Sequence, residues 1–125
     1  LYAGTVHDRQ KALGAYEEII KLGPSFHYAA RAVGARALLL AAEGKGEEAV
    51  SEVGRLGALN LAKVKDPYWI CWAPMTEGDV YAAIGKKAEA LARYGAATAV
   101  TNAPADLLRE VKRKLDALQA PTAQK

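Results

Sequence analysis

Two histidines, one cysteine and a glycine-lysine turn are the groups in this 125-residue chain that could do chemistry, and none stands in a pattern that requires it. His7 is followed by Asp8, a pair able to move a proton. No serine or cysteine is placed beside it, and such a dipeptide at a helix start reads first as a cap. His27, between Phe26 and Tyr28, reads in the same way as helix-start packing. Cys71 lies between Trp69 and Trp72 and is an inert buried thiol unless a positive neighbour lowers its pKa. One cysteine and two histidines form no disulfide framework and leave too few ligands for a structural zinc. Gly44-Lys45-Gly46-Glu47 has the outline of a phosphate loop. It lacks the spaced glycines, the lysine followed by serine or threonine, and the preceding strand, so it reads as a turn. Arg109, Lys112, Arg113 and Lys114 spread around a helix among acids, the pattern of a solvated face rather than a phosphate-binding patch. No catalytic, metal or cofactor site is expected, and no reaction.

The elements that carry these residues follow from composition. Alanine is 27 of 125 residues and glycine 11, with almost no β-branched alternation, which favours closely packed helices over sheets. Hydrophobic residues at 51% and charged ones at 25% exclude wholesale disorder, and the length suits one domain with a buried core. The longest apolar run, 37–42, is far short of the roughly 20 residues of a membrane span. A net charge of +3 is too small to make nucleic acid the default partner. The chain opens on leucine with no basic, apolar presequence after it, the look of an excised or processed piece. Cytoplasm is the default compartment, with a periplasmic domain of an anchored protein as the alternative.

Apolar residues recur at helical spacing, and glycine or proline interrupts them where a helix would stop. Leu13, Tyr16, Ile19 and Ile20 stripe a helix over 8–22, ended by Gly23-Pro24, after which Ser25 caps the next. That second helix spans 26–43 and ends at Gly44-Lys45-Gly46, and a third spans 47–56. Residues 57–66 are undecided between continued helix and ordered loop. Asp66-Pro67 looks like a capped start, while Pro74 would either kink that helix or move its start to about 73; in both cases it runs to 84. A helix over 88–100 follows Gly85-Lys86-Lys87. A last one, begun by Asn102-Ala103-Pro104, extends to 118, and 121–125 form a mobile tail.

Gly78, Tyr81, Gly85, Ala90, Tyr94 and Ala97 repeat the order small, aromatic, turn glycine, small, aromatic, small. Ala12 and Tyr16 with Pro24 match the second half of such a unit. Gly34, Gly44 and Ala49 match a middle one, with Ala37 in place of the first aromatic and Val53 in place of the second. In this the chain resembles the tetratricopeptide repeat family, over nearly its whole length. Ala12, Ala49 and Ala90 are 37 and 41 residues apart. The family period is about 34 residues, so these spacings exceed it by about one and two helical turns. The resemblance implies an all-α, right-handed solenoid of about six helices. It reads as a single domain over 1–120, with a half repeat at 1–24, repeats at 25–57 and 67–103, and a capping helix at 104–119. The first helix then lacks its upstream partner. Gly78-Asp79-Val80-Tyr81 and 112–118 also resemble bacterial tetratricopeptide segments fused to signalling, regulatory or envelope proteins.

The same resemblance implies a non-catalytic module whose first helices line a concave groove for a peptide or partner domain. Carried over by position, the groove takes Tyr28, Arg31, Ala35 and Leu38 on one wall, Trp72, Met75, Asp79 and Ala82 on the next, and Arg109 and Arg113 from the cap. Aromatics and arginines there suit an extended peptide with acidic and apolar side chains. Trp72 and Met75 are open to a second reading as ordinary packing, because Trp69 and Trp72 are three apart and only one need face out. Ala35 and Asp79 stand where a carboxylate clamp would have asparagines, which argues against capture of a C-terminal tail. Two rivals stand beside the groove: self-assembly through the first helix, giving a homodimer or filament, and a small-molecule sensor with a pocket near Trp69, Trp72, Tyr81 and Tyr94.

Overall fold

Glycine and proline punctuate the chain much as their backbone preferences dictate. The computed structural model describes residues 10–17, 26–59 and 65–119, the side chains of 26–28 excepted. Among them are six helices and no strand: α1 (10–17), α2 (Phe26–Ala42), α3 (Gly46–Ala58), α4 (Pro67–Ala83), α5 (Lys87–Thr98) and α6 (Ala105–Gln119). The expected all-α class is therefore found. His7, Asp8, the Gly23-Pro24 stop, the Ser25 cap and the tail lie outside the described residues.

α2 and α4 end in the same way. Gly44 and Gly85 take φ of 80° and 81°, a left-handed conformation that costs glycine nothing. Past Gly44, the Lys45 N–H donates to the Leu40 carbonyl at 2.9 Å and the Gly44 N–H to that of Ala41 at 3.1 Å. Past Gly85, Lys86 donates to Tyr81 at 2.9 Å and Gly85 to Ala82 at 3.2 Å. Both are Schellman closures, which satisfy carbonyls a bare helix end would leave unpaired.

α4 resolves the two-proline question in favour of one continuous helix. Asp66 caps it by accepting the Tyr68 N–H at 3.0 Å, and Pro67 occupies the first turn, where its missing N–H costs nothing. Pro74 sits inside the helix, so the turn bond it would have donated is absent there. The undecided segment divides as well: α3 continues through Gly57 to Ala58, and Leu59 closes it. Asn102 does not cap α6 as expected. It takes a left-handed φ of 65° three residues ahead of the helix, and the Pro104 carbonyl accepts the first helical N–H, from Leu108.

The chain forms two compact units, Leu1–Asn60 and Leu61–Lys125. In the first α2 packs on α3; in the second α4 packs on α5, and α6 on both. Phe26 and Pro67, which begin α2 and α4, are 41 residues apart, as are Gly46 and Lys87, which begin α3 and α5. This constant offset corrects the alignment expected for the middle repeat. Leu40, not Ala37, is the counterpart of Tyr81, and Ala37, not Gly34, is that of Gly78. Core positions agree at the same offset: Ala30 with Cys71, Ala49 with Ala90, Val53 with Tyr94 and Leu56 with Ala97 are buried in both units. The closest approach is in the second unit, where a Cβ built on Gly78 would lie 2.6 Å from Tyr94 Cε1. Glycine lets the ring lie flat against the α4 backbone.

Candidate functional site

The residues expected on the walls of one groove divide between the units, Tyr28, Arg31, Ala35 and Leu38 in the first and the others in the second. The Tyr28 side chain lies outside the described residues. Arg31 is exposed and Leu38 half-buried, seven residues apart and thus on one face of α2. In α4 the choice between the two tryptophans falls as spacing allows: Trp69 is buried and Trp72 half-buried, their rings edge to face at 5.2 Å. Tyr68 adds a second edge contact to Trp69 at 5.0 Å.

Of the expected wall residues, Met75 is buried and Asp79 half-buried. Met75 is 7% exposed and belongs to the core of the second unit. An apolar side chain three residues beyond a half-exposed tryptophan has rotated past the solvent boundary of a helix that is apolar nearly all round. Asp79 has both carboxylate oxygens engaged: Oδ1 accepts the Tyr94 hydroxyl at 2.6 Å from α5, and Oδ2 meets Lys114 Nζ at 2.8 Å from α6. It holds three helices together. Burial, then the bond to Asp79, pushes the Tyr94 hydroxyl pKa well up. On α6, Arg109 and Arg113 are exposed as expected, Arg109 paired with Asp106 and Arg113 3.9 Å from Glu110. Trp69, Tyr81 and Tyr94, expected near a sensor pocket, are all buried.

Ion pairs that local spacing does not reveal tie each pair of helices. In the first unit Arg36 Nη1 on α2 lies 3.1 Å from Glu52 Oε2 on α3. Arg55 Nη1 bonds Glu17 of α1 at 2.9 Å and Glu52 at 3.3 Å, which raises the Arg55 pKa, chiefly through Glu17. Two cations and two anions thus alternate across α1, α2 and α3. In the second unit Arg93 Nη1 on α5 bonds Glu77 Oε1 on α4 at 2.7 Å, and its guanidinium lies 5.6 Å from the centre of the Tyr81 ring. Burial raises the Glu77 pKa despite the opposing pull of Arg93. The signal that could have found these pairs is the 41-residue offset, at which Arg36 corresponds to Glu77 and Glu52 to Arg93.

Of the catalytic candidates the described residues include Cys71 alone, since His7, Asp8 and the His27 side chain lie outside them. Cys71 is fully buried, its Sγ donates to the Ala97 carbonyl at 3.5 Å, and burial raises its pKa, so no positive neighbour activates it. Among the described residues no three of His, Cys, Asp and Glu stand together as metal ligands would, and no helix is long and apolar enough to cross a membrane. What α4 does present is a half-buried apolar set, Tyr68, Ile70, Trp72, Ala73 and Pro74, while both its carboxylates are committed inside the unit. No family model, no curated protein and no solved structure matches this chain.

Proposed function

We propose that this chain is a non-catalytic protein-interaction module of tetratricopeptide type, its helix pairs stacked as a right-handed solenoid whose first helices hold a peptide or partner domain. The observation that carries the reading is the outward set of α4. Trp72 stands half-exposed among Ile70, Ala73 and Pro74 on a helix whose two carboxylates already bond Arg93, Tyr94 and Lys114. Apolar and aromatic surface of this kind binds partners, and a tryptophan is a frequent anchor. Arg109 and Arg113, exposed on α6 of the same unit, supply positive groups for acidic residues of the ligand. Met75 and Asp79 leave the proposed contact set. The repeated helix pair supports the reading as well, since 41-residue units with identical turn closures are how helical repeats are built.

The test is a library of extended peptides scored by the fluorescence of the two tryptophans. Peptides combining acidic and apolar residues should bind, and Trp72→Ala and Arg113→Glu should each weaken them while helical content is unchanged. Binding that ignores Trp72→Ala, or an absence of binding by any acidic-apolar peptide, refutes the reading.

A further inference from the structure

Helical repeats face a matching problem: every first helix resembles every other, and α4 is flanked in the chain by two second helices, α3 and α5, each able to offer it a small-residue face. The two units solve the same contact with opposite charges. Arg36 on α2 meets Glu52 on α3, and at the same repeat positions Glu77 on α4 meets Arg93 on α5. The carboxylates are 8% and 9% exposed while Arg36 and Arg93 keep 24% and 43% of their side chains in water, so a wrong neighbour is felt most at the carboxylate. One residue further along each helix, side-chain size reverses too. Ala37 and Val53 occupy the positions that Gly78 and Tyr94 occupy in the second unit.

We infer that this reversal is a pairing code, which directs α2 to α3 and α4 to α5 and rejects the exchanged pairs both within one chain and between two copies. If α4 paired with α3, Glu77 would confront Glu52 with Arg55 of α3, already bonded to Glu17, left to serve both carboxylates, and Val53 would leave a void above Gly78. If α2 paired with α5, Arg36 would confront Arg93, and the Tyr94 ring would meet a Cβ at Ala37. Built on Gly78, that Cβ lies 2.6 Å from the ring. Charge and volume therefore reject the same two alternatives while both correct pairs stay attractive, which is specificity by repulsion as well as by fit. Sign-reversed pairs also explain why burying charge is tolerated at this position: a leucine pair would hold either helix equally well.

The full chain tests this by refolding from urea across a range of concentrations. Glu77→Arg with Arg93→Glu keeps α4 attracted to α5 but makes both exchanged pairs attractive. Its midpoint of unfolding should stay close to that of the original chain. Refolding at high concentration should trap at least about ten times more dimer, the factor that removing one like-charge confrontation allows. That dimer should persist on dilution and disappear after refolding at low concentration. Glu77→Ala with Arg93→Ala, which removes the pair without recoding it, should trap less. Gly78→Ala with Tyr94→Val removes the volume half of the code and should raise the trapped dimer without any charge reversal. Equal trapping by the reversed and alanine pairs, or no rise in either the reversed pair or the Gly78/Tyr94 variant, overturns the inference.

Discussion

Gly78→Ala separates packing from helix propensity, because the two predict opposite signs. Gly78 lies within α4, where alanine is favoured over glycine by about 1 kcal/mol on propensity alone. The new Cβ would stand 2.6 Å from Tyr94 Cε1 and 2.7 Å from Cδ1. Carbon atoms rest at about 3.5–4.0 Å, so the ring must withdraw by about 1 Å. It has little freedom to do so. Tyr94 is 3% exposed, and its hydroxyl is held at 2.6 Å by Asp79, itself bonded to Lys114. Overpacking costs about 1–3 kcal/mol, and a ring anchored at its tip belongs at the upper end of that range. Subtracting the propensity gain leaves a net loss of about 2 kcal/mol. Urea unfolding followed by tryptophan fluorescence reads the right element, since Trp69 and Trp72 are both in α4. A thermal midpoint lower by roughly 8–16 °C is the equivalent shift for a unit of this size. Tyr94→Val alone should cost about 3 kcal/mol through the void it leaves, yet it should remove the clash. Joined to Gly78→Ala, it recreates the Ala37/Val53 combination of the first unit, and the pair should be less damaging than the sum by about 3 kcal/mol, the whole cost of the clash. A stabilising Gly78→Ala, or strict additivity in the cycle, would refute the close-approach argument.

Two further outcomes follow from the same contacts. Gly54 and Gly95 stand at equivalent positions of α3 and α5, and a Cβ on either meets nothing within 4 Å; Gly54→Ala and Gly95→Ala should each raise stability by about 0.5–1 kcal/mol in urea titrations. The raised Tyr94 pKa makes its contribution to stability complete below the ordinary tyrosine value of about 10 and lost as pH rises beyond it, because the unfolded chain releases that proton first. Urea midpoints measured on either side of that value should fall more steeply for the original chain than for Tyr94→Phe; parallel curves would remove Tyr94 from the linkage.

The turns and most helix ends were legible in the sequence because they rest on single residues with strong backbone preferences: Gly44 and Gly85 for the closures, Asp66-Pro67 for the start of α4. Gly57 was misleading. Near a helix C-terminus a glycine costs little, and α3 runs through it. The burial of α4 was not legible, for a physical reason. With Tyr68, Trp69, Ile70, Trp72, Met75, Val80 and Tyr81 distributed all round it, periodicity selects no face and gives no reason for Met75 to be buried while Trp72 is half-buried. The ion pairs escaped for the opposite reason. Local reading treats a charge as solvated, and Tyr94 and Lys114 lie 15 and 35 residues from Asp79, so nothing near it announces that both oxygens are used.

α4 distributes polarity in an order unlike that of an ordinary surface helix, and the functional reading depends on this inversion. Its charged side chains face its neighbours: Glu77 holds α5 through Arg93, and Asp79 holds α5 and α6 through Tyr94 and Lys114. Its half-exposed residues from Tyr68 to Pro74 are apolar or aromatic. A helix selected only for the stability of its own unit would place these groups the other way, since apolar side chains contribute most when fully buried and carboxylates least. Keeping tryptophan at the boundary while two acids are committed inside is consistent with an outer face reserved for another surface, whether the next turn of a superhelix or a ligand. Trp72→Ala distinguishes this from simple packing. As packing, the substitution should lower the urea midpoint in proportion to the part of the side chain that is buried; as a contact, it should also abolish peptide binding that the same loss of stability, introduced by Gly78→Ala, leaves intact.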